Sequence, residues 1–217
     1  MQDPPEAAHE GAVSGTMDGS VPDRDARCAR GRWSVYSERA VIAVLGPARF
    51  AEAKADKGER QATALGATLA MAGYGVVVAG DGATATAVAR GARQQQGFVL
   101  AVEHDGRAFP VADVEKATER SLFGALERVL GVADALMVLP GDVRALATLA
   151  LVWSWGSEPD APYRQVILVG EGWPETVRAL ADAAQLDQKT RAMVTFAPDV
   201  PEAVEALRYY IAPTRKA

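Results

Sequence analysis

From about residue 40 onward the chain alternates between short, unbroken apolar runs and longer stretches whose apolar residues recur at helical spacing. The runs at 40–45 (AVIAVL), 75–79 (GVVVA), 98–102 (FVLAV), 135–139 (ALMVL), 165–169 (QVILV) and 193–196 (MVTF) mostly lack the in-and-out alternation of a half-exposed strand. They therefore predict strands buried on both faces. Between the first two runs, residues 50–72 set Ala62, Leu65, Leu69 and Ala72 on one helical face, with Gly73 as the stop. Further helices are predicted over 83–95, 113–130, 143–155, 174–184 and 201–210. Strands alternating with helices predict an α/β fold, a parallel sheet covered on both faces. No repeat of solenoid period is present.

Residues 1–38 break this pattern. They are rich in Gly, Pro, Ser, Asp and Arg and carry no apolar periodicity, which predicts a flexible N-terminal extension followed by a single domain over 39–217. Arg24, Arg27, Arg30 and Arg32 lie close to Trp33. That cluster reads either as a solvated tail whose last residues pack on the domain or as a partner-binding segment.

Composition narrows the function. With 49% hydrophobic residues among 217, the chain has material for a full core. A net charge of -5 and a pI near 5.2 argue against a protein devoted to nucleic acid or anionic membrane. No apolar run is long enough to span a bilayer, and the chain opens with Asp3, Pro4, Pro5 and Glu6 rather than a leader pattern, so a cytoplasmic protein is expected. One cysteine, Cys28, and two histidines, His9 and His104, leave no disulfide framework, no Cys/His zinc cage and no sensibly placed Cys-His pair. Chemistry then falls to carboxylates, hydroxyls, backbone amides, arginines or a bound group. No cofactor is implied.

In a parallel sheet of this kind ligands bind outside the carboxyl ends of the strands, where the strand order reverses. Three strand ends carry suitable loops: Gly46-Pro47, Gly80-Asp81-Gly82 and Pro140-Gly141-Asp142, the last followed by Arg144. Glycine permits close backbone approach, and a helix N-terminus offers free N–H groups to an anion, so these loops point to a nucleotide or other phosphate-bearing ligand. Glycines that merely turn a strand into a helix would read the same way.

The order and content of these loops resemble the Lonely Guy (LOG) family. Its members were long labelled lysine decarboxylases, its characterised members are cytokinin-activating phosphoribohydrolases, and a molybdenum-cofactor carrier protein is a further relative. Residues 80–92 (GDGATATAVARGA) look like the family's glycine-rich turn and following helix, and residues 133–141 (ADALMVLPG) look like the strand leading into its signature P-G-G-x-G-T-x-x-E. The resemblance covers about residues 40–211. It implies a three-layer, doubly wound Rossmann-like domain, a nucleoside monophosphate or sugar-phosphate ligand, and a homodimer. Lysine decarboxylase chemistry is not expected, because no Schiff-base lysine site is visible.

Against the signature, Pro140 and Gly141 agree, but Asp142, Arg144 and Ala145 stand where Gly, Gly and Thr are expected. Thr148 stands at the catalytic glutamate, and the catalytic arginine falls near Ala125, with Arg120 and Arg128 the nearest arginines. Cleavage of an N-glycosidic bond passes through an oxocarbenium-like state that a carboxylate stabilises, and a threonine cannot supply that charge. The expectation is a nucleotide- or phosphate-binding protein that has lost phosphoribohydrolase catalysis. The alternatives are a divergent hydrolase using Asp81, Glu103 or Asp142, and a non-catalytic dimeric scaffold.

Plainer roles stand beside these. Asp142 and Asp81 suit helix N-caps. Arg144 reads equally as a solvated side chain or as a partner for an anion. Thr84, Thr86 and Thr148 suit packing or back-bonded hydroxyls. Glu103 and His104 follow a predicted strand end and suit a polar loop. Glu119, Arg120, Glu127 and Arg128 suit a solvated helix face. Trp153 and Trp155 suit core or subunit interface.

Overall fold

The apolar runs become the strands of one sheet in the computed structural model, which describes residues 39–156 and 164–213. The expected extension over 1–38, with its arginines and Trp33, lies outside the described residues. Six strands match the runs: β1 Val41–Leu45, β2 Gly75–Ala79, β3 Val99–His104, β5 Ala135–Val138, β6 Gln165–Val169 and β7 Val194–Ala197. The seventh, β4, spans Glu115–Glu119. All pair in parallel, in the order β4-β3-β2-β1-β5-β6-β7.

β4 corrects the sequence expectation of one helix over 113–130. Its sequence EKATE has no apolar run because it is an edge strand, mostly exposed, and an edge tolerates charge that a central strand does not. The helix begins only at α3, Leu122–Val132, where the Ser121 hydroxyl accepts the Gly124 N–H at 3.2 Å. Ser121 ahead of an apolar run was the legible signal for that start. Glu103 and His104 also prove to be the last residues of β3 rather than a loop beyond it.

The other helices are α1 Ala55–Met71, α2 Ala83–Gln94, α4 Val143–Gly156, α5 Trp173–Ala183, a short α6 Gln188–Arg191 and α7 Val200–Tyr210. Two apolar layers flank the sheet. On one face Leu65 and Leu69 of α1, Val88 of α2 and Leu207 of α7 cover Ile42, Val44 and Val76. On the other, Val129 of α3, Leu149 and Trp153 of α4 and Val177 of α5 cover Ala43, Leu136 and Val166. This is a three-layer, doubly wound, Rossmann-like α/β fold. Burial of each such Leu or Val contributes about 1.5–3 kcal/mol, which explains why apolar residues stand on both faces of the central strands.

α1 and α2 press together through glycine. A Cβ on Gly66 would lie 2.0 Å from the Val88 carbonyl oxygen, and one on Gly91 would lie 1.9 Å from the Thr63 carbonyl oxygen. One glycine on each helix thus lets the two backbones meet.

Candidate functional site: a crevice at the strand ends

β1 sits between β2 and β5, and the chain leaves β1 and β5 toward opposite faces. The loops after these three strands therefore converge at the reversal of strand order. A shallow cleft, open to solvent, lies there. Leu45, Gly46, Ala79 and Gly82 line it from the strand ends, and Leu126, Arg144 and Thr148 from α3 and α4.

The glycines of the three loops mostly serve contacts among the loops themselves. A Cβ on Gly141 would lie 2.4 Å from Pro47 Cδ, one on Gly46 2.7 Å from Thr84 Oγ1, and one on Gly82 3.1 Å from Ala48 Cα. Gly80 takes a left-handed φ of +67°, and a Cβ there would lie 2.8 Å from His104 Nε2. Pro140 is exposed, in contact range of the Gly170 turn after β6.

The helix N-termini are likewise engaged. At α2, Ala83 N–H donates to the Ala48 carbonyl at 2.8 Å, and the buried Thr84 hydroxyl donates to the Pro47 carbonyl at 3.0 Å. The N-cap of α2 is Gly82, with no side-chain cap bond, so Asp81 does not cap it. Asp81 instead lies 3.9 Å from the Arg107 guanidinium. At α4, Asp142 is the cap. Its Oδ1 accepts from Arg144 N at 2.9 Å and Ala145 N at 3.4 Å, and its Oδ2 accepts from Ala48 N at 3.2 Å. One carboxylate thus satisfies backbone donors from two elements, in the place where a helix start would otherwise offer them to an anion.

The hydrolase positions have other occupations. Thr148 is buried, and its hydroxyl donates to the Arg144 carbonyl at 2.9 Å. Ala125 is buried in the core, and Arg128 pairs with Glu119. Glu103 accepts the Phe109 N–H at 2.8 Å and pairs with Lys116 at 2.9 Å, which ties down the β3–β4 connection. The Phe109 hydrogen bond, then Lys116, hold its carboxyl below the ordinary value of 4.5. Among the described residues no carboxylate lines the cleft.

One arginine is in its lining, and two others are near lining residues in the chain. Arg144 lines the cleft, Arg49 follows the lining residue Ala48, and Arg120 stands two residues before the lining residue Leu122. All three are exposed. None has an ion pair among the described residues. Of these only Arg144 was singled out from sequence as a ligand contact. Arg49 and Arg120 each follow a strand end by a few residues, and that offset was the available signal. Trp153 is in the core, and the side chain of Trp155 lies outside the described residues.

These features define a Rossmann-like α/β protein with a crevice at its strand ends that Arg144 lines. No protein-family model matches the chain, and no curated protein does. Its fold is similar to that of the molybdenum cofactor carrier protein from Chlamydomonas reinhardtii, at 20% identity and a TM-score of 0.61, covering 79% of this chain and 97% of that one. It is also similar to the molybdenum cofactor binding protein from Rippkaea orientalis, at 15% identity and a TM-score of 0.62, over 79% and 96% of the two chains. DNA processing protein A from Helicobacter pylori, described with a single-stranded DNA binding mode, matches at 10% identity and a TM-score of 0.51, over 82% and 85%. Among the described residues no helix is long and apolar enough to cross a membrane, and no group of three or more His, Cys, Asp or Glu is placed to hold a metal ion.

Proposed function

We propose that the chain is a binding or carrier protein for a phosphate-bearing small ligand, held in the crevice between the ends of β1, β2 and β5, and that it does not cleave N-glycosidic bonds. The observation that carries this reading is the exposed Arg144, without an ion pair among the described residues, in the lining of a cleft to which no described carboxylate contributes. In a chain of net charge -5, such an arginine at a strand-end cleft favours an anion there. Gly46 and Gly82 line that cleft, Gly80, Pro140 and Gly141 belong to the loops around it, and Arg144 is its anion contact. With Asp142 already on the backbone donors of α4, the anion meets the guanidinium group rather than a helix start. Nucleoside monophosphates, sugar phosphates and the molybdenum cofactor named for the similar structures are the ligands to test.

A hydrolase would need a free carboxylate beside the scissile bond. Asp142 and Glu103 spend theirs on backbone N–H groups, Asp81 faces Arg107 at 3.9 Å and is not in the cleft lining, and Thr148 spends its hydroxyl on its own helix. A homodimer, implied by the LOG resemblance, is supported by the exposed positions Val143, Ala147, Ala150, Leu151 and Ser154, an uncharged face along α4.

Purified protein is incubated with a panel of nucleoside monophosphates and assayed for free base, while the same panel, with sugar phosphates and molybdenum cofactor, is screened by thermal shift. No base release and a raised melting temperature with at least one phosphate-bearing compound are expected. A ligand at about 100 times its Kd adds about 2.7 kcal/mol. Steady turnover overturns the non-catalytic reading, and a panel without any shift overturns the binding reading.

A further inference from the structure

The two margins of the sheet are finished differently. At one margin β4 carries Glu115, Lys116 and Glu119, charges that discourage a further strand from pairing there. At the other, β7 reads VTFA, and residues 192–197 carry no charge at all. The Gly170 N–H donates to the Ala197 carbonyl at 2.7 Å, so Thr195 and Ala197 turn their backbone groups toward β6. By alternation Val194 and Phe196 turn theirs outward. Among the described residues nothing bonds those outward N–H and C=O groups. Pro198, the next outward position, has no N–H to offer, which confines the open row to these two residues. On the face where α5 packs, Phe196 stands next to the buried Val194 yet is 41% exposed, because no further strand covers it.

We infer that the β7 edge is a two-fold interface between two copies of this chain, in which the strands pair antiparallel with Thr195 opposite Thr195 and the sheet runs on from one copy into the other. In that register Val194 of one copy stands opposite Phe196 of the second. Both are outward-facing positions, so each such pair exchanges two backbone hydrogen bonds, and the two-fold axis supplies the pair twice. Every open group of the row is then satisfied. The same pairing lays the Phe196 ring against the Val194 side chain on one face, an aromatic and β-branched pair of the kind that stabilises sheets. Charge agrees with the antiparallel sense. The turn before β7 presents exposed Lys189, without an ion pair among the described residues; the carboxylates near it are occupied, Asp182 by Arg191 at 2.8 Å and Asp187 by the Thr190 N–H at 2.7 Å. The turn after β7 presents exposed Asp199 and Glu202 at the start of α7. Antiparallel pairing brings each Lys189 turn alongside the second copy's Asp199 turn, whereas parallel pairing would set like charges together. Pairing of β7 with β4 of another copy would meet Glu115, Lys116 and Glu119 and would leave an open array rather than a closed pair. The α4 face proposed above is a different surface, and the two contacts stand or fall separately.

Sedimentation of the full chain over a concentration series is compared with that of Phe196→Lys and of Phe123→Lys, the latter a control on exposed Phe123 of α3, which packs over β2 and β3. Phe196→Lys is expected to halve the sedimenting mass, because a lysine on each edge lowers the affinity between copies at least about 10-fold; Phe123→Lys leaves the mass as it was. Cross-linking then reads the register. Directly opposed residues of a non-hydrogen-bonded antiparallel pair have Cα atoms about 4.5 Å apart, within disulfide reach. In a Cys28→Ser background, mild oxidation should therefore join Thr195→Cys copies into a dimer on a non-reducing gel, while Glu127→Cys, exposed on α3, stays unlinked. Leu151→Lys, on the α4 face, should leave the Thr195→Cys link intact, which separates this contact from the α4 dimer. The inference is overturned by an unmodified chain that is monomeric at every concentration, by a folded Phe196→Lys that keeps the full mass, or by Thr195→Cys linking no faster than Glu127→Cys. If the melting curve shows that Phe196→Lys does not fold, the cross-link alone decides.

Discussion

Replacing Asp142 by alanine removes a side chain that hydrogen-bonds both the β1 loop and the start of α4. Its carboxylate accepts from Arg144 N at 2.9 Å, Ala145 N at 3.4 Å and Ala48 N at 3.2 Å. Loss of an Asp cap costs about 0.5–2 kcal/mol, and loss of a negative charge at a helix N-terminus about 0.3–1 kcal/mol. The Ala48 N–H, on a partly buried loop, loses its acceptor as well. About 2 kcal/mol in all is therefore expected, or roughly 4–8 °C in Tm for a domain of this size. Asp142→Asn keeps the Oδ1 acceptor of the cap but loses the charge and turns an amide NH2 toward the Ala48 N–H, so it should fall by less than Asp142→Ala. Urea unfolding with Glu127→Ala as an exposed control measures both. If Asp142→Ala costs no more than the control, or Asp142→Asn costs as much as Asp142→Ala, then the cap and its tether to Ala48 are not what orders this loop.

Arg144→Ala is expected to weaken binding of the best phosphate-bearing ligand about 10- to 100-fold while leaving Tm within about 2 °C, because its guanidinium supports a charge-assisted contact and little of the fold; calorimetry and a melting curve check the two halves. Gly66→Ala and Gly91→Ala each drive a methyl group into a carbonyl oxygen of the facing helix, and each should cost at least about 1–3 kcal/mol by urea unfolding, far beyond the slight gain in helix propensity. Glu103→Gln should destabilise by about 1–3 kcal/mol at neutral pH. The Glu103 carboxyl is held below its ordinary 4.5, so its contribution is fully present above that value and is lost as pH falls through the lower folded-state value. The gap between wild type and Glu103→Gln should therefore close in strong acid; a gap that stays constant in urea titrations from neutral pH to strong acid would contradict this account.

Much of the architecture was legible from one dimension, because strands buried on both faces admit few polar residues. The runs at 40–45, 75–79, 135–139 and 165–169 appear as β1, β2, β5 and β6 within a residue or so at either end. β4 was missed because an edge strand has one side free of packing, so nothing forces its EKATE sequence to be apolar. Of the site, the three loops were placed correctly at one edge of the sheet, and the cap role of Asp142 was available from its position just ahead of a helix. The engagement of α2 with the Pro47 and Ala48 carbonyls was not, since it joins residues more than thirty positions apart, 37 in the case of the Thr84 hydroxyl.

The sequence alone determined the layers, the parallel direction of the strands and the edge of the sheet where the glycine-bearing loops gather, because these follow from local periodicity and from the chirality of strand–helix–strand units. It also showed that Thr148 stands where the resembling family carries a glutamate. Only the tertiary structure decided what the glycines are for, since Gly141 against Pro47 and Gly80 against His104 are contacts between distant segments. The same holds for charge. Arg49, Arg120 and Arg144 are spread over nearly a hundred residues and stand at one edge of the sheet because parallel strands deliver all their C-terminal loops to the same edge, where Arg144 lines the cleft. Asp142 lies near them and answers instead to the backbone N–H groups of Ala48 and α4.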